Sequence, residues 1–248
     1  MSSQSKSNKS MLSHSDSPKN INSVIMTFGR FNPPHKGHLK MFKSLSVEAS
    51  NNKVKNIYIF PSFTVDSNKN PLSFDNKSTS ISNALEKFKK ENRMLVKNQN
   101  WFLNSDRNIN TPVKAIQILA KKFDKIFFVC GSDRSLSYSK FGKYALNEDG
   151  DSVEYSIISL NRNDTAENNS GLSASKLRKL VKNTIERQHD ISLKKMLFKQ
   201  SFIDEETSNE TFNKIREKYS KKNSKKSRRN SPSNVGHSRS RLRRNTVK

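Results

Sequence analysis

The chain is poor in cysteine, in apolar residues and in acid. Its 248 residues include one cysteine, Cys130, which excludes an internal disulfide framework and any zinc site built on clustered cysteines. Apolar residues make up 31%, well below the globular average, so the chain is expected to fold around one core and to leave extensions outside it. No apolar run approaches the roughly 20 residues of a membrane span, and the Ser-, Asn- and Lys-rich opening has no apolar signal region, so a soluble, intracellular protein is expected. Acid is the scarcest resource: 22 Asp and Glu stand against 47 Lys and Arg, a formal charge of +25. Such a molecule is drawn to polyanions. The charge is uneven, because residues 221–248 carry 11 Lys and Arg and no acid.

Residues 1–20 have too little apolar surface to offset the entropy of ordering them and read as a disordered arm. Val24 to Phe28 is a β-prone run ending at Gly29, and Gly37 to Ser50 follows with helical spacing. Asn56 to Phe60 reads as a second strand stopped by Pro61. The stretch 62–75 reads as a loop, 76–94 as a helix, and a short strand is expected around Trp101. Thr111 before Pro112 is an N-cap followed by proline at the first helical position. Lys125 to Cys130 is the strongest strand in the sequence, and Tyr155 to Leu160 is another. Strand and helix alternate, which argues for an α/β fold with a parallel sheet and helices on both faces. Helices are then expected over 173–187, 193–200 and 206–219. The domain reading is an arm over 1–20, a folded domain over 21–190, a helical extension over 191–219 and a disordered basic tail over 220–248. There is no internal repeat.

The segment from Gly29 to His38, GRFNPPHKGH, carries most of the chemistry. A strand delivers the chain to a glycine and two prolines, and two histidines then sit three apart at a helix start, which puts both imidazoles on one side. A helix N-terminus carries free N–H groups and partial positive charge, so phosphate is its natural ligand. The segment resembles the G-x-F-x-P-x-H-x-G-H signature of the nucleotidylyltransferase superfamily in Gly29, Phe31, Pro33, His35, Gly37 and His38. The resemblance implies a Rossmann-like fold in which His35 and His38 contact the phosphates of a nucleoside triphosphate, His38 first in importance. It also implies a nucleotide-binding set of Gly29, Phe31, Asn32, Gly37, Ser173 and Ser175.

Ser173 to Arg178, SASKLR, is similar to the superfamily's S-[ST]-[ST]-x-[IV]-R, with Ala174 and Leu177 as departures. Read from the residues, Ser173 caps a helix and Arg178 offers a fork of donors to phosphate; the resemblance makes Arg178 the third catalytic residue. Gly131-Ser132-Asp133 ends the strongest strand, where ligands bind in open parallel sheets, and resembles the G-[SA]-D of nicotinamide mononucleotide adenylyltransferases. The loop with Lys69 and Pro71, and Lys77 after it, resembles the acceptor loop of adenylyltransferases. Lys69, Lys77 and Asp133 are therefore the implied acceptor-binding residues. The order of these segments over roughly 22–219 is similar to a cytidylyltransferase-like branch found in large tailed phages and other viruses.

The implied reaction is attack by an acceptor's phosphate on the α-phosphorus of a nucleoside triphosphate, ATP favoured and nicotinamide mononucleotide the leading acceptor, with release of pyrophosphate. Catalysis of that kind rests on holding two anions together and neutralising charge. Mg2+ would arrive bridging triphosphate oxygens, so no protein metal ligand is expected. Competing readings are a CTP-dependent cytidylyltransferase, a class I aminoacyl-tRNA synthetase, disfavoured because no K-M-S-K-S-like loop is present, and a non-catalytic nucleic-acid-binding or virion protein on the same fold. Beyond Tyr219 no aromatic residue remains to stack on bases, so the tail is expected to bind nucleic acid without sequence preference, through phosphates alone. No membrane partner is expected.

Overall fold

The computed structural model describes residues 21–66, 69–161, 173–186 and 190–229. Strands β1 (Ser23–Gly29), β2 (Asn56–Pro61), β3 (Asn100–Leu103), β4 (Lys125–Gly131) and β5 (Glu154–Leu160) form a five-strand parallel sheet in the order β3-β2-β1-β4-β5. The helices are α1 (Gly37–Asn51), α2 (Phe74–Glu91), α3 (Arg93–Val96), α4 (Pro112–Ala120), α5 (Ser135–Ser139), α6 (Ala174–Glu186), α7 (Ile191–Ser201) and α8 (Ser208–Arg229). The α/β reading from sequence holds. The expected 111–112 cap is present, with Thr111 Oγ1 accepting from the Lys114 N–H at 3.2 Å.

The described residues divide into two compact units. One unit, residues 21–29, 41–60 and 89–161, contains the sheet. Period-2 alternation sends Val24 and Met26 of β1 and Ile126 and Phe128 of β4 to one face, where Ala115, Ile116 and Leu119 of α4 cover them. Ile25, Ile57 and Ile59, all fully buried, point to the other face. There Phe42 of α1 meets Trp101 edge-on at 6.2 Å, and Thr27 reaches Met41. Helices therefore lie on both faces. Chain order reverses between β1 and β4, which are neighbours. The carboxyl ends of those two strands are the switch point at which open α/β sheets bind ligands.

The other unit, residues 30–40, 61–88 and 173–229, holds the histidine segment and the C-terminal helices. Its core joins Leu177 and Val181 of α6 to Phe198 and Phe202 and to Phe212, Ile215 and Tyr219 of α8. The expected boundary between 190 and 191 falls within this unit, where the apolar face of α6 is buried by α7 and α8. Asp204 and Lys214 anchor α2 to the same body through Asn83 at 3.0 Å and Asn76 at 2.6 Å.

Other ends move as well. Helix α2 stops at Glu91, short of the expected 94, and α3 follows separately. The tail expected from 220 begins as helix, because α8 continues to Arg229. Lys and Arg are good helix formers. Glu217 and Lys221, four apart, add an ion pair at the junction. The remainder of the expected tail, 230–248, and the expected arm, 1–20, lie outside the described residues.

Candidate active site

The histidine segment is shaped by hydrogen bonds from far along the chain. Phe31 adopts φ of 46°, an uncommon conformation for a residue with a Cβ. Its ring is 3% exposed and lies 4.7 Å from the His38 ring, a packing that helps hold the turn. The next bond, Asn32–Pro33, is cis. Asn32 is buried, and its carboxamide donates to the Leu72 carbonyl at 3.1 Å while accepting from the Leu72 N–H at 3.0 Å. That reciprocal pair satisfies both ends of the amide. The carboxamide of Asn32, expected in the nucleotide-binding set, joins the histidine segment to the loop before α2.

On the far side the segment is held by the end of α7. The Lys36 N–H donates to the Ser201 carbonyl at 3.0 Å, His35 pairs with Phe202 in a single antiparallel bridge, and Lys36 Nζ meets Glu205 at 3.1 Å. Sequence reasoning missed Ser201, Phe202 and Glu205, and no local signal marks them.

Within this frame the imidazoles are ordered by backbone donors. The His35 N–H donates to His38 Nδ1 at 3.0 Å, and the Gly37 N–H donates to His35 Nδ1 at 3.2 Å. His38 Nδ1 also lies 3.2 Å from the His35 carbonyl. An amide N–H can only donate, so we assign the lone pair to Nδ1 in both rings and the proton to Nε2. Nε2 is then the protonated nitrogen of each ring. The rings are 4.0 Å apart and tilted by 42°. Burial, then electrostatic coupling to His35, holds His38 well below the usual histidine range, against an opposing hydrogen bond with the His35 backbone; His38 is neutral at pH 7. The glycine between them leaves room for the His35 ring, since a Cβ at Gly37 would stand 2.8 Å from His35 Cε1 and force that ring to move.

Helix α6 brings the second motif to this segment. Ser173 Oγ accepts from the Lys176 N–H at 3.3 Å, the expected cap. Arg178 donates through Nη1 to the Asn32 carbonyl at 2.6 Å and through Nη2 to Ser175 Oγ at 2.9 Å. The structure thus ties Ser175 and Arg178 to Asn32, next to Phe31, His35, Gly37 and His38.

The residues expected to bind acceptor are placed less uniformly. Lys69 is exposed, on a turn closed by Asp66, whose Oδ1 accepts from the Lys69 N–H at 2.6 Å and whose Oδ2 accepts from Asn70 Nδ2. Lys77 does not face open space. Its side chain is fully buried and its Nζ donates to the Ser62 carbonyl, and burial lowers its pKa to about 8. Gly29 and Asp133 belong to the sheet unit, at the ends of the neighbouring strands β1 and β4. Asp133 lies 3.7 Å from Arg134 Nε. Cys130 is buried in β4, and burial followed by the Asp133 charge pushes its thiol up to about 11, so it is no nucleophile at neutral pH.

A family model described as cytidylyltransferase-like matches residues 26–180, from within β1 to just past Arg178. The chain belongs to the cytidylyltransferase-like family. Solved structures similar to this cytidylyltransferase-like chain include the nicotinic acid mononucleotide adenylyltransferase of Plasmodium falciparum complexed with NaAD. It is 14% identical with a TM-score of 0.41, over 64% of this chain and 84% of that one. Another is a protein of Vibrio parahaemolyticus provisionally named a nicotinate-nucleotide adenylyltransferase, 16% identical with a TM-score of 0.49, over 79% of this chain and 97% of that one. No curated protein matches the sequence.

Proposed function

We propose that this protein is a nucleotidylyltransferase that moves a nucleoside monophosphate from a nucleoside triphosphate to a phosphate-bearing small molecule. ATP is the favoured donor and nicotinamide mononucleotide the leading acceptor. The observation that carries this reading is the pair of imidazoles 4.0 Å apart, each with Nδ1 accepting a backbone N–H, beside Arg178 at the start of α6. An acceptor phosphate oxygen forms a bond to the α-phosphorus, the bond to the bridging oxygen breaks, and pyrophosphate leaves with its electron pair. His38 donates to an α-phosphoryl oxygen as charge develops there, His35 adds a second donor, and Arg178 neutralises the departing phosphates. No covalent enzyme intermediate is needed.

Among the described residues no group of three or more His, Cys, Asp or Glu could hold a metal ion, and the donors at the histidine segment are cationic or neutral N–H groups. Mg2+ would be carried in with the triphosphate, where it would supply charge neutralisation beside His35, His38 and Arg178. Ser173 and Ser175 are read as triphosphate contacts and Lys69 as the acceptor contact. A nucleoside triphosphate as substrate makes this an intracellular activity. The test is pyrophosphate release by the purified chain with ATP and with CTP, against nicotinamide mononucleotide, phosphopantetheine, phosphocholine and glycerol 3-phosphate. Preference for ATP with nicotinamide mononucleotide supports the reading; preference for CTP with an alcohol phosphate moves the protein to cytidylyl transfer on the same residues; no release with any pair refutes it.

A further inference from the structure

Two segments remote in sequence meet the histidine segment at Asn32, and all three belong to one compact unit. The first is the loop before α2, 40 residues away. The Asn32 carboxamide, 1% exposed, donates to the Leu72 carbonyl at 3.1 Å and accepts from the Leu72 N–H at 3.0 Å, a two-point clamp. Lys69 stands three residues earlier, on a turn closed from within: Asp66 Oδ1 accepts from the N–H groups of Lys69 and Asn70, and the Asp66 N–H donates to the Asn70 carbonyl at 2.8 Å. The second segment is α6, 146 residues away, where Arg178 donates through Nη1 to the main-chain carbonyl of Asn32 at 2.6 Å. The two remote segments also pack together, because Leu72, 1% exposed, lies in the core with Leu177, the residue before Arg178.

Anchoring the loop asks only for the clamp on Leu72. The same residue also fixes Arg178, through a different group, and Arg178 and Lys69 are the contacts read for opposite partners of the reaction. We propose that Asn32 is a positioning residue that sets the separation between the triphosphate held at Arg178 and the acceptor held at Lys69. The proposal rests on the nucleotidyl-transfer reading and deepens it. In-line attack needs the acceptor oxygen close to the α-phosphorus and aligned with the leaving oxygen, and a misplacement of about 1 Å costs roughly 100-fold in rate. Neither partner's own affinity depends on that separation, so releasing the clamp acts on turnover and not on binding. A second consequence follows from linkage. The Asn32 carbonyl orients the guanidinium that meets the triphosphate, so bound triphosphate favours the clamped state and lowers the frequency with which the Leu72 N–H opens.

The test uses the full chain, the variants Asn32→Ala, Asn32→Ser and Lys69→Ala, and the Asn32→Ala/Lys69→Ala double. Substitution at Asn32 removes the clamp on Leu72 and leaves the main-chain carbonyl for Arg178. Pyrophosphate release is followed with the fastest pair among ATP, CTP and the four acceptors named above. Asn32→Ala is expected to lower kcat about 30- to 100-fold while the triphosphate Kd and the acceptor KM stay within about threefold. Asn32→Ser, which keeps a hydroxyl on the same Cβ, is expected to fall between Asn32→Ala and wild type. In the Lys69→Ala background the Asn32→Ala change is expected to add less than about threefold, because the loop no longer holds the acceptor. A further measurement uses the wild-type chain alone: the same triphosphate, saturating and with Mg2+, is expected to slow hydrogen exchange at the Leu72 N–H about fivefold or more. Exchange that ignores the triphosphate, a loss confined to Kd or KM, a lowered thermal midpoint with kcat unchanged, or the same factor in both Lys69 backgrounds overturns the proposal while leaving nucleotidyl transfer intact. A wild-type chain that releases no pyrophosphate with any pair removes the nucleotidyl-transfer reading, and this proposal with it.

Discussion

Lys77 offers a direct check on how the buried part of the site is read. Its side chain is fully buried, its Nζ donates to the Ser62 carbonyl, and burial moves its pKa from 10.5 to about 8. At about 1.36 kcal/mol for each tenfold change in the proton equilibrium, keeping the ammonium charged in the folded protein at neutral pH costs about 3 kcal/mol. Lys77→Met keeps the length of the side chain and removes the charge. It also leaves the Ser62 carbonyl without its donor, a loss of about 1 to 2 kcal/mol. The net expectation is a variant more stable than wild type by about 1 to 2 kcal/mol at pH 7. The sign with pH follows from the lowered value. Above about pH 8 the folded protein has released the proton while the unfolded chain holds it up to about 10.5, so wild-type stability from this group rises across that window. The advantage of the methionine variant should shrink by about 2 kcal/mol between pH 8 and 9.5. Urea denaturation of both proteins at pH 7, 8 and 9.5 reads this directly, since ionisations common to both cancel in the difference. A methionine variant less stable at pH 7, with a gap that does not change with pH, would refute the reasoning and return Lys77 to a site open to anions.

Three further expectations concern the histidine segment and the tail. His38→Ala should lower kcat by about 100-fold or more, with a smaller loss for His35→Ala, and unchanged pyrophosphate release in a folded double variant would show that neither ring touches the reacting phosphate. Gly37→Ala should cost activity comparable to His35→Ala, because its Cβ would stand 2.8 Å from His35 Cε1 and displace that ring; wild-type kinetics in that variant would mean that the His35 position does not matter. Deletion of residues 230–248, which carry five of the tail's cations and no acid, should weaken binding to duplex DNA and flatten its salt dependence while pyrophosphate release stays within about two-fold. DNA affinity unchanged by the deletion would assign binding to the folded part of the chain.

The sheet was legible because its strands are short apolar runs of β-branched and aromatic residues with sharp ends. Val24 to Phe28, Asn56 to Phe60 and Lys125 to Cys130 each lie within one residue of an observed strand at both ends. The alternation of strand and helix then fixed the fold class. Helix ends were read less well for two physical reasons. Helix α5 has five residues, SLSYS, and so short a segment carries no period to detect. The end of α8 was misread because a run of Lys, Asn, Ser and Arg without an apolar face looks like solvated coil, whereas an established helix is extended one residue at a time by good helix formers until a breaker intervenes.

In the site, spacing located the imidazoles but not what holds them. Two histidines three apart after a strand and a tight turn are a local pattern, and Gly37 between them has a local reason. The partners that orient the segment are remote: Leu72 stands 40 residues from Asn32, Ser201 stands 165 from Lys36, and Glu205 stands 169 from the same lysine. The identity of a polar residue does not say whether its polar atoms meet a ligand or a backbone amide of the same chain. Asn32 sits in the histidine signature and Lys77 after a segment that resembles an acceptor loop, and the carboxamide of the one and the ammonium of the other bond to backbone inside the protein. The consequence for the motif is physical. His35 and Lys36 receive their backbone geometry from Ser201 and Phe202, so the ten-residue signature is necessary for two donors side by side but acquires its shape only when α6, α7 and α8 have packed. The placement of the two imidazoles is therefore a property of the whole second unit, and changes at the end of α7 should alter it as surely as changes within GRFNPPHKGH.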